Sequence, residues 1–271
     1  MHYQNITDDS VKIEELFKKD DWVAKRFKHT VEIKDESEKT KTLVVEFANP
    51  RKVLSTTDGM VTVDYVGNNS IPVPFWDKVH SYKDYRKQIF EKIEISKEEI
   101  ALLATGANMD NLSIHYEEFD EFYVVALSTA GALGNAIRLG DEKADYIEKD
   151  FETYCISEDG TITKKEKVGT VNIIVITNAD LTEGAMAKAI ISITEAKTNV
   201  FLDLGVPSTK HPELQSTGTG TDSVIVVGGN GPKVGYTGGH TKIGEMIAKC
   251  VKRSVREAMI LQDELNYDFE E

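Results

Sequence analysis

The sequence predicts an α/β or α+β layered domain: a mixed sheet with flanking helices and Gly/Thr-rich loops at the strand ends. Three observations carry this. Apolar runs at residues 122–127 (FYVVAL), 171–176 (VNIIVI) and 224–227 (VIVV) have the length and β-branched content of buried strands. Two longer stretches, about 182–200 and about 241–261, repeat apolar residues at helical spacing. Glycine- and threonine-rich loops adjoin the strands, and ligands of α/β folds collect at strand ends.

Taken in order, residues 1–30 carry an amphipathic helix pattern, with Val11, Leu16 and Phe17 among charges. Residues 34–41 are all polar and read as a turn or exposed hairpin tip. Residues 42–47 (TLVVEF) predict a strand, 51–54 the start of another, and 55–59 (STTDG) a polar turn. Residues 61–66 alternate as a half-buried strand does, and Gly67-Asn68-Asn69 is expected to stop it. Pro72 and Pro74 mark an extended connection before a helix at about 82–93. Ser96 with Glu98 and Glu99 predicts a short helix start, because a hydroxyl caps free N–H groups and acids suit the positive dipole end. Residues 101–105 lead to a loop at 106–108, and the acidic piece 141–150 reads as a solvated loop or helix face. In the helix at 182–200, Met186, Ala189, Ile190, Ile193 and Val200 share one face, with Lys188, Ser192, Glu195 and Asn199 opposite. The last helix buries Ile243, Ile247, Val251, Ala258 and Leu261, and the acidic tail frays. No internal repeat or linker divides residues 1–271, so a single domain is expected.

Composition narrows the function. With 40% hydrophobic and 29% charged residues the chain reads as globular, and a formal net charge of -14 argues against nucleic acid or an anionic membrane as main partner. The start, MHYQNITDDS, has neither a basic n-region nor an apolar h-region, so no signal peptide is expected. No apolar run approaches the ~18 residues of a membrane span. Cys155 and Cys250 lack metal-ligand spacing, and Cys250 falls on the apolar side of the last helix as a buried free thiol, which fits a cytoplasmic location. H-E-x-x-H, paired histidines and cysteine clusters are absent, so no metal site is expected; a P-loop and a G-x-S-x-G elbow are absent as well.

The candidate chemistry centres on residues 216–247. His240 precedes a helix start and reads as a general acid/base or ligand contact, against a loop histidine that bonds backbone. Thr241 beside it is placed to cap that helix or meet a ligand. Glu195 in TEAKT is a base or an orienting carboxylate, against a solvated helix face. Asp222 orients His240 or holds a hydroxyl, against a turn residue making an Asx bond. Two hydroxyl clusters, Ser128 with Thr129 and Thr217 with Thr219 and Thr221, supply nucleophile or binding groups, and the Gly/Thr loops offer backbone N–H donors.

Five segments in order then carry a resemblance: ALSTAGALGNAIRLG (126–140), GTVNIIVITNADLT (169–182), ITEAKTNVFLDLGVPS (193–208), STGTGTDSVIVV (216–227) and GGHTKIGEMI (238–247). Together they resemble the adenosylcobinamide amidohydrolase family of corrinoid salvage. Upstream, VLSTTDGM (53–60) and LLATGANMDNLSI (103–114) look like diverged family segments. The resemblance implies an amide hydrolase that cleaves the aminopropanol amide of adenosylcobinamide to give adenosylcobyric acid for cobalamin synthesis. It implies a small-molecule corrinoid substrate and no firm cofactor. Asn135 and Asn172 then become candidates to bond the amide-bearing ring, and His240, Asp222 and Glu195 are expected to converge at one pocket. A non-catalytic corrinoid- or nucleotide-binding module is the alternative. Neither the oligomeric state nor the nucleophile, hydroxyl or water, follows from the residues.

Overall fold

The structure is a computed structural model that describes residues 11–79, 84–144, 146–149, 152–155 and 170–264. The start and the acidic tail lie outside these residues. The chain opens with a hairpin of β1 (Lys12–Lys19) and β2 (Trp22–Ile33) where a helix was expected. The pairing register shifts between Glu15 and Phe17, and this irregularity lets adjacent Leu16 and Phe17 pack against the same core. Neighbouring apolar residues on one side imitate helical spacing. In β2, Trp22, Ala24, Val31 and Ile33 are buried at strand period.

The two strand pieces expected at 42–47 and 51–54 are one bent strand, β3 (Glu36–Ser55), which also takes in most of the polar stretch 34–41. Its register with β4 (Gly59–Ser70) shifts between Glu46 and Arg51, where Pro50 has no N–H to donate. Gly67-Asn68-Asn69 continues β4 instead of ending it. A Cβ on Gly67 would lie 2.7 Å from the Leu43 carbonyl oxygen, so glycine permits a close strand approach there.

Next come α1 (Trp76–Val79), α2 (Tyr85–Ile93), a short 3-10 turn closed by a Ser96/Glu99 capping box, β5 (Ile100–Thr105), β6 (Ser113–Phe119) and β7 (Phe122–Gly131). Short pieces β8 (Ala136–Ile137), β9 (Tyr146–Lys149) and β10 (Glu152–Cys155) precede β11 (Thr170–Thr177), so part of the acidic piece is strand. After β12 (Asp180–Leu181), α3 (Glu183–Asp203) starts at Thr182, whose hydroxyl accepts from the Ala185 amide. The chain ends with β13 (Gly218–Thr219), β14 (Ser223–Val227), β15 (Lys233–Val234) and α4 (Lys242–Asp263).

The main sheet is mixed and curled, in the order β1-β2-β3-β14-β11-β7-β6, with β4 joining β3 to β5. The β11–β14 and β4–β5 pairs are parallel, and the other pairs in this sheet are antiparallel. Strand alternation divides three cores. Val124, Val171, Ile173 and Val226 face α3 and α4. Val125, Leu127, Ile174 and Ile225 face the interior of the curl against β2, β3 and β5. The outer face of β2, β3, β4 and β5 is covered by α2 through Tyr85, Ile89 and Ile93. The fold is therefore an α/β layered fold, its sheet flanked by α2, α3 and α4 among the described residues. Among the described residues no helix is long and apolar enough to cross a membrane.

Cys250 is a buried free thiol, and burial pushes its pKa up to about 12, which leaves it unreactive. Leu261, expected inside, is exposed. The last turn of α4 instead uses polar side chains: Gln262 accepts from the Asn108 amide and Asp263 from the Ala132 amide.

Two glycines make a stability test. A Cβ on Gly229 would lie 2.1 Å from the Asn178 carbonyl oxygen, while one on Gly184, in the first turn of α3, meets nothing within 4 Å. Gly229→Ala is expected to cost ~2 kcal/mol through overpacking against backbone. Gly184→Ala is expected to add up to ~1 kcal/mol. Urea unfolding of both variants checks this, and equal effects would contradict it.

Candidate active site

The GTGTD turn between β13 and β14 brings its last residue, Asp222, to the start of β14. Oδ1 of Asp222 accepts from the Thr219 hydroxyl at 2.5 Å and from the Val171 amide at 3.2 Å. Oδ2 accepts from Lys197 Nζ at 2.5 Å. Lys197 lies on α3 and is 8% exposed, with its ammonium 5.7 Å from the Phe201 ring centroid. A Cβ on Gly218 would lie 2.2 Å from Nζ and 2.5 Å from Oδ2, so the pair can form only against glycine. Sequence reasoning missed Lys197. Its signal was present: it is four residues after Ile193 and three before Val200, on the apolar stripe of the helix.

The loop around Asp222 spends its amides internally. Thr217 N–H donates to the Ile137 carbonyl, Gly220 N–H to the Asn135 carbonyl, Thr219 N–H to Asp222 and Thr221 N–H to the Thr219 hydroxyl. The expectation that this loop offers N–H donors to a ligand is therefore corrected for these four amides. Positive charge and donors come from side chains instead. Lys197 is one, and Asn135, whose Nδ2 donates to Thr221 Oγ1 at 3.3 Å, is another.

Behind the loop a polar cluster crosses the interior of the curl. Asn172 Nδ2 donates to Asn68 Oδ1 at 2.9 Å and to the Ala104 carbonyl at 2.8 Å, and Asn68 Nδ2 donates to Thr129 Oγ1 at 2.9 Å. All three side chains are buried, so Asn172 and Thr129 stand behind the loop as its support. The cluster ties the upstream segment at 103–114 to this end of the sheet. The segment at 53–60 arrives through Thr56, whose amide donates to the Val224 carbonyl at 3.0 Å and whose hydroxyl accepts from the Val224 amide at 3.0 Å.

Three expectations are corrected. Ser128 points to the opposite face of β7 from Thr129 and is buried under α4, 2.7 Å from the Ser254 hydroxyl. Glu195 is exposed on α3, whereas Ser192, expected outside, is buried and donates to the Thr237 carbonyl. His240 is exposed and belongs to the other end of the sheet. The loop before it is fixed where Thr237 Oγ1 donates to the Ala185 carbonyl in the first turn of α3, and Lys242 after it lies over the Phe119 ring at the β6–β7 turn. The length of β14, roughly 16 Å at ~3.3 Å per residue, separates that end from Asp222. His240, Asp222 and Glu195 therefore do not converge. Thr241 stays with His240 and caps α4, accepting from the Gly244 amide at 3.1 Å. Among the described residues, no group of three or more His, Cys, Asp or Glu is arranged to hold a metal ion.

Comparison with known proteins adds the family. The model of the adenosylcobinamide amidohydrolase family matches residues 24–267. An uncharacterized protein of Methanocaldococcus jannaschii is 68% identical over 253 residues, 93% of this chain and 99% of that protein. The adenosylcobinamide amidohydrolase of Methanosarcina mazei is 26% identical over 236 residues, 83% of this chain and 98% of its own length. Among solved structures, the PH0078 protein of Pyrococcus horikoshii OT3 aligns over 88% of this chain and 84% of that chain, at TM-score 0.43 and 9% identity.

Proposed function

The chain belongs to the adenosylcobinamide amidohydrolase family, and on that premise we propose that it hydrolyses the aminopropanol amide of adenosylcobinamide to adenosylcobyric acid at the Asp222 end of the sheet. The observation that carries this is the Thr219–Asp222–Lys197 cluster, held in place by segments distant in the sequence. Amide hydrolysis needs a hydroxyl to attack the carbonyl carbon, an acceptor for its proton and positive charge near the developing oxyanion. Asp222 Oδ1, already the acceptor for a hydroxyl, takes the proton of the attacking hydroxyl. Lys197 offsets the negative charge that grows on the amide oxygen. With water as the attacking hydroxyl, its oxygen forms the new C–O bond, the C–N bond breaks, the leaving amine takes the proton held by Asp222, and the acid product remains.

Incubation with adenosylcobinamide, followed by chromatography for adenosylcobyric acid, tests the proposal. Binding without any turnover would favour the corrinoid-binding module instead. The position of His240 gives a second expected outcome: His240→Ala keeps turnover near that of the wild type, because the residue stands a strand length from Asp222. A fall of the ~10²–10⁴-fold that follows loss of a general acid–base group would move the reaction to the other end of the sheet.

A further inference from the structure

We propose that Leu133 and Leu139 form an apolar lip on which the substrate's ring system rests while its amide enters the Asp222 site. This rests on the amide-hydrolase reading above and names the part of the substrate that the lip recognises. Leu133 is 61% exposed and Leu139 is 79% exposed. Scattered surface leucines are ordinary, but these two flank a turn that braces the Asp222 loop. Between them, Asn135 and Ala136 are buried. The Asn135 carbonyl accepts from the Gly220 amide, and the Leu139 amide donates to Thr217 Oγ1 at 3.1 Å.

The turn is also held firmly from its own side. The Ala132 amide donates to Asp263, the Asn135 and Ala136 amides to the Ala132 carbonyl, and the Arg138 amide to Glu142 at 2.6 Å. Arg138 Nη1 donates to the Gln215 carbonyl at 2.9 Å. A turn fixed by this many backbone bonds cannot fold its leucines inward, so their apolar surface stays in water until something covers it. A fixed apolar surface binds without an ordering cost. A broad ring carrying apolar faces and peripheral amides fits the position, with the faces on leucine and an amide directed at Asp222. Asn135 is buried beneath the turn, while Arg138 and Asp141 pair at the surface beside Leu139 and give the apolar contact a polar rim.

The test compares wild type, Leu133→Gln, Leu139→Gln, the double variant and Val73→Gln. Val73 is 73% exposed on the connection before α1 and controls for a generic surface change. Equilibrium dialysis measures adenosylcobinamide binding, chromatography measures turnover, and sedimentation measures the oligomeric state. Each leucine variant is expected to weaken binding roughly tenfold, and the double variant more, with kcat at saturation little changed. Val73→Gln binds as wild type. Unchanged binding in the double variant overturns the lip and leaves the reaction standing. Lost binding in the leucine variants, with no turnover by a wild type that binds, supports the lip and removes the reaction. A wild type that does not bind removes the lip. A wild-type dimer that the double variant splits, with binding intact, assigns the leucines to a second copy of the chain and also overturns the lip.

Discussion

Lys197→Met is expected to lower turnover by roughly 10²–10³-fold, the size seen when one donor to a developing oxyanion is lost, and to lower stability by ~3 kcal/mol. Both effects come from one contact. Lys197 Nζ lies 2.5 Å from Asp222 Oδ2, with the two side chains 10% and 18% exposed. Methionine keeps the apolar stem over Phe201 but removes the charge, so Asp222 keeps the cost of partial desolvation without its counter-charge. At roughly 2–4 °C per kcal/mol for a chain of this class, the melting temperature falls by roughly 6–12 °C. Lys197→Met combined with Asp222→Leu separates the two effects. With neither charge buried, stability recovers most of the loss, while turnover stays at the level of the single variant or below. Thermal unfolding and initial rates on all three proteins decide it. Full turnover in Lys197→Met would remove Lys197 from the chemistry.

Stability is expected to fall by about 3 kcal/mol between pH 6.5 and pH 4 through His29 alone. His29 is buried in the layer between β3 and α2, and burial first, then the charge of Lys92 on α2, depresses its pKa from 6.5 to about 4. Its Nε2 lies 2.9 Å from Thr42 Oγ1, and its Nδ1 has no hydrogen-bond partner among the described residues. Apart from Lys92, the side chains linked to it are neutral: Thr42 accepts from Asn69, and Tyr85 from α2 donates to Asn69, its phenol held protonated by burial. Below pH 6.5 the unfolded chain takes up a proton at this position that the folded chain refuses until about pH 4. Stability therefore drops with falling pH across that window, at about 1.4 kcal/mol per pH unit, and is fully present above it. Paired carboxylates such as Asp110 and Glu14 titrate in acid as well, so the comparison is between wild type and His29→Gln. Urea unfolding at pH 7 and pH 4 should give a difference about 3 kcal/mol smaller in the variant. Equal pH dependence would place the proton uptake elsewhere.

Much of the site was visible as segments and little of it as contacts. TEAKT holds both the exposed Glu195 and the buried Lys197. The rule that a carboxylate orients a histidine points to Glu195. Helical spacing from Ile193 to Val200 would have pointed to the lysine. Ser128 and Thr129 read as one hydroxyl cluster, but strand alternation sends neighbours to opposite faces. His240 and Asp222 were expected to meet although an extended strand intervenes, and such a strand carries its ends apart.

By itself the sequence determined the layered α/β class, the positions of α3, α4, β7, β11 and β14 to within a few residues, the buried thiol of Cys250 and the family. These follow from periodicity, capping residues and motif order, all of which act over short stretches of chain. Only the tertiary structure decided that β1 and β2 form a hairpin, that β3 is one bent strand, and that Lys197 pairs with Asp222 across 25 residues. It also decided that His240 stands at the other end. Those outcomes depend on which way the sheet curls and which side chains meet through space, and a charge that is costly to bury is placed inside only where a partner from another part of the chain is waiting.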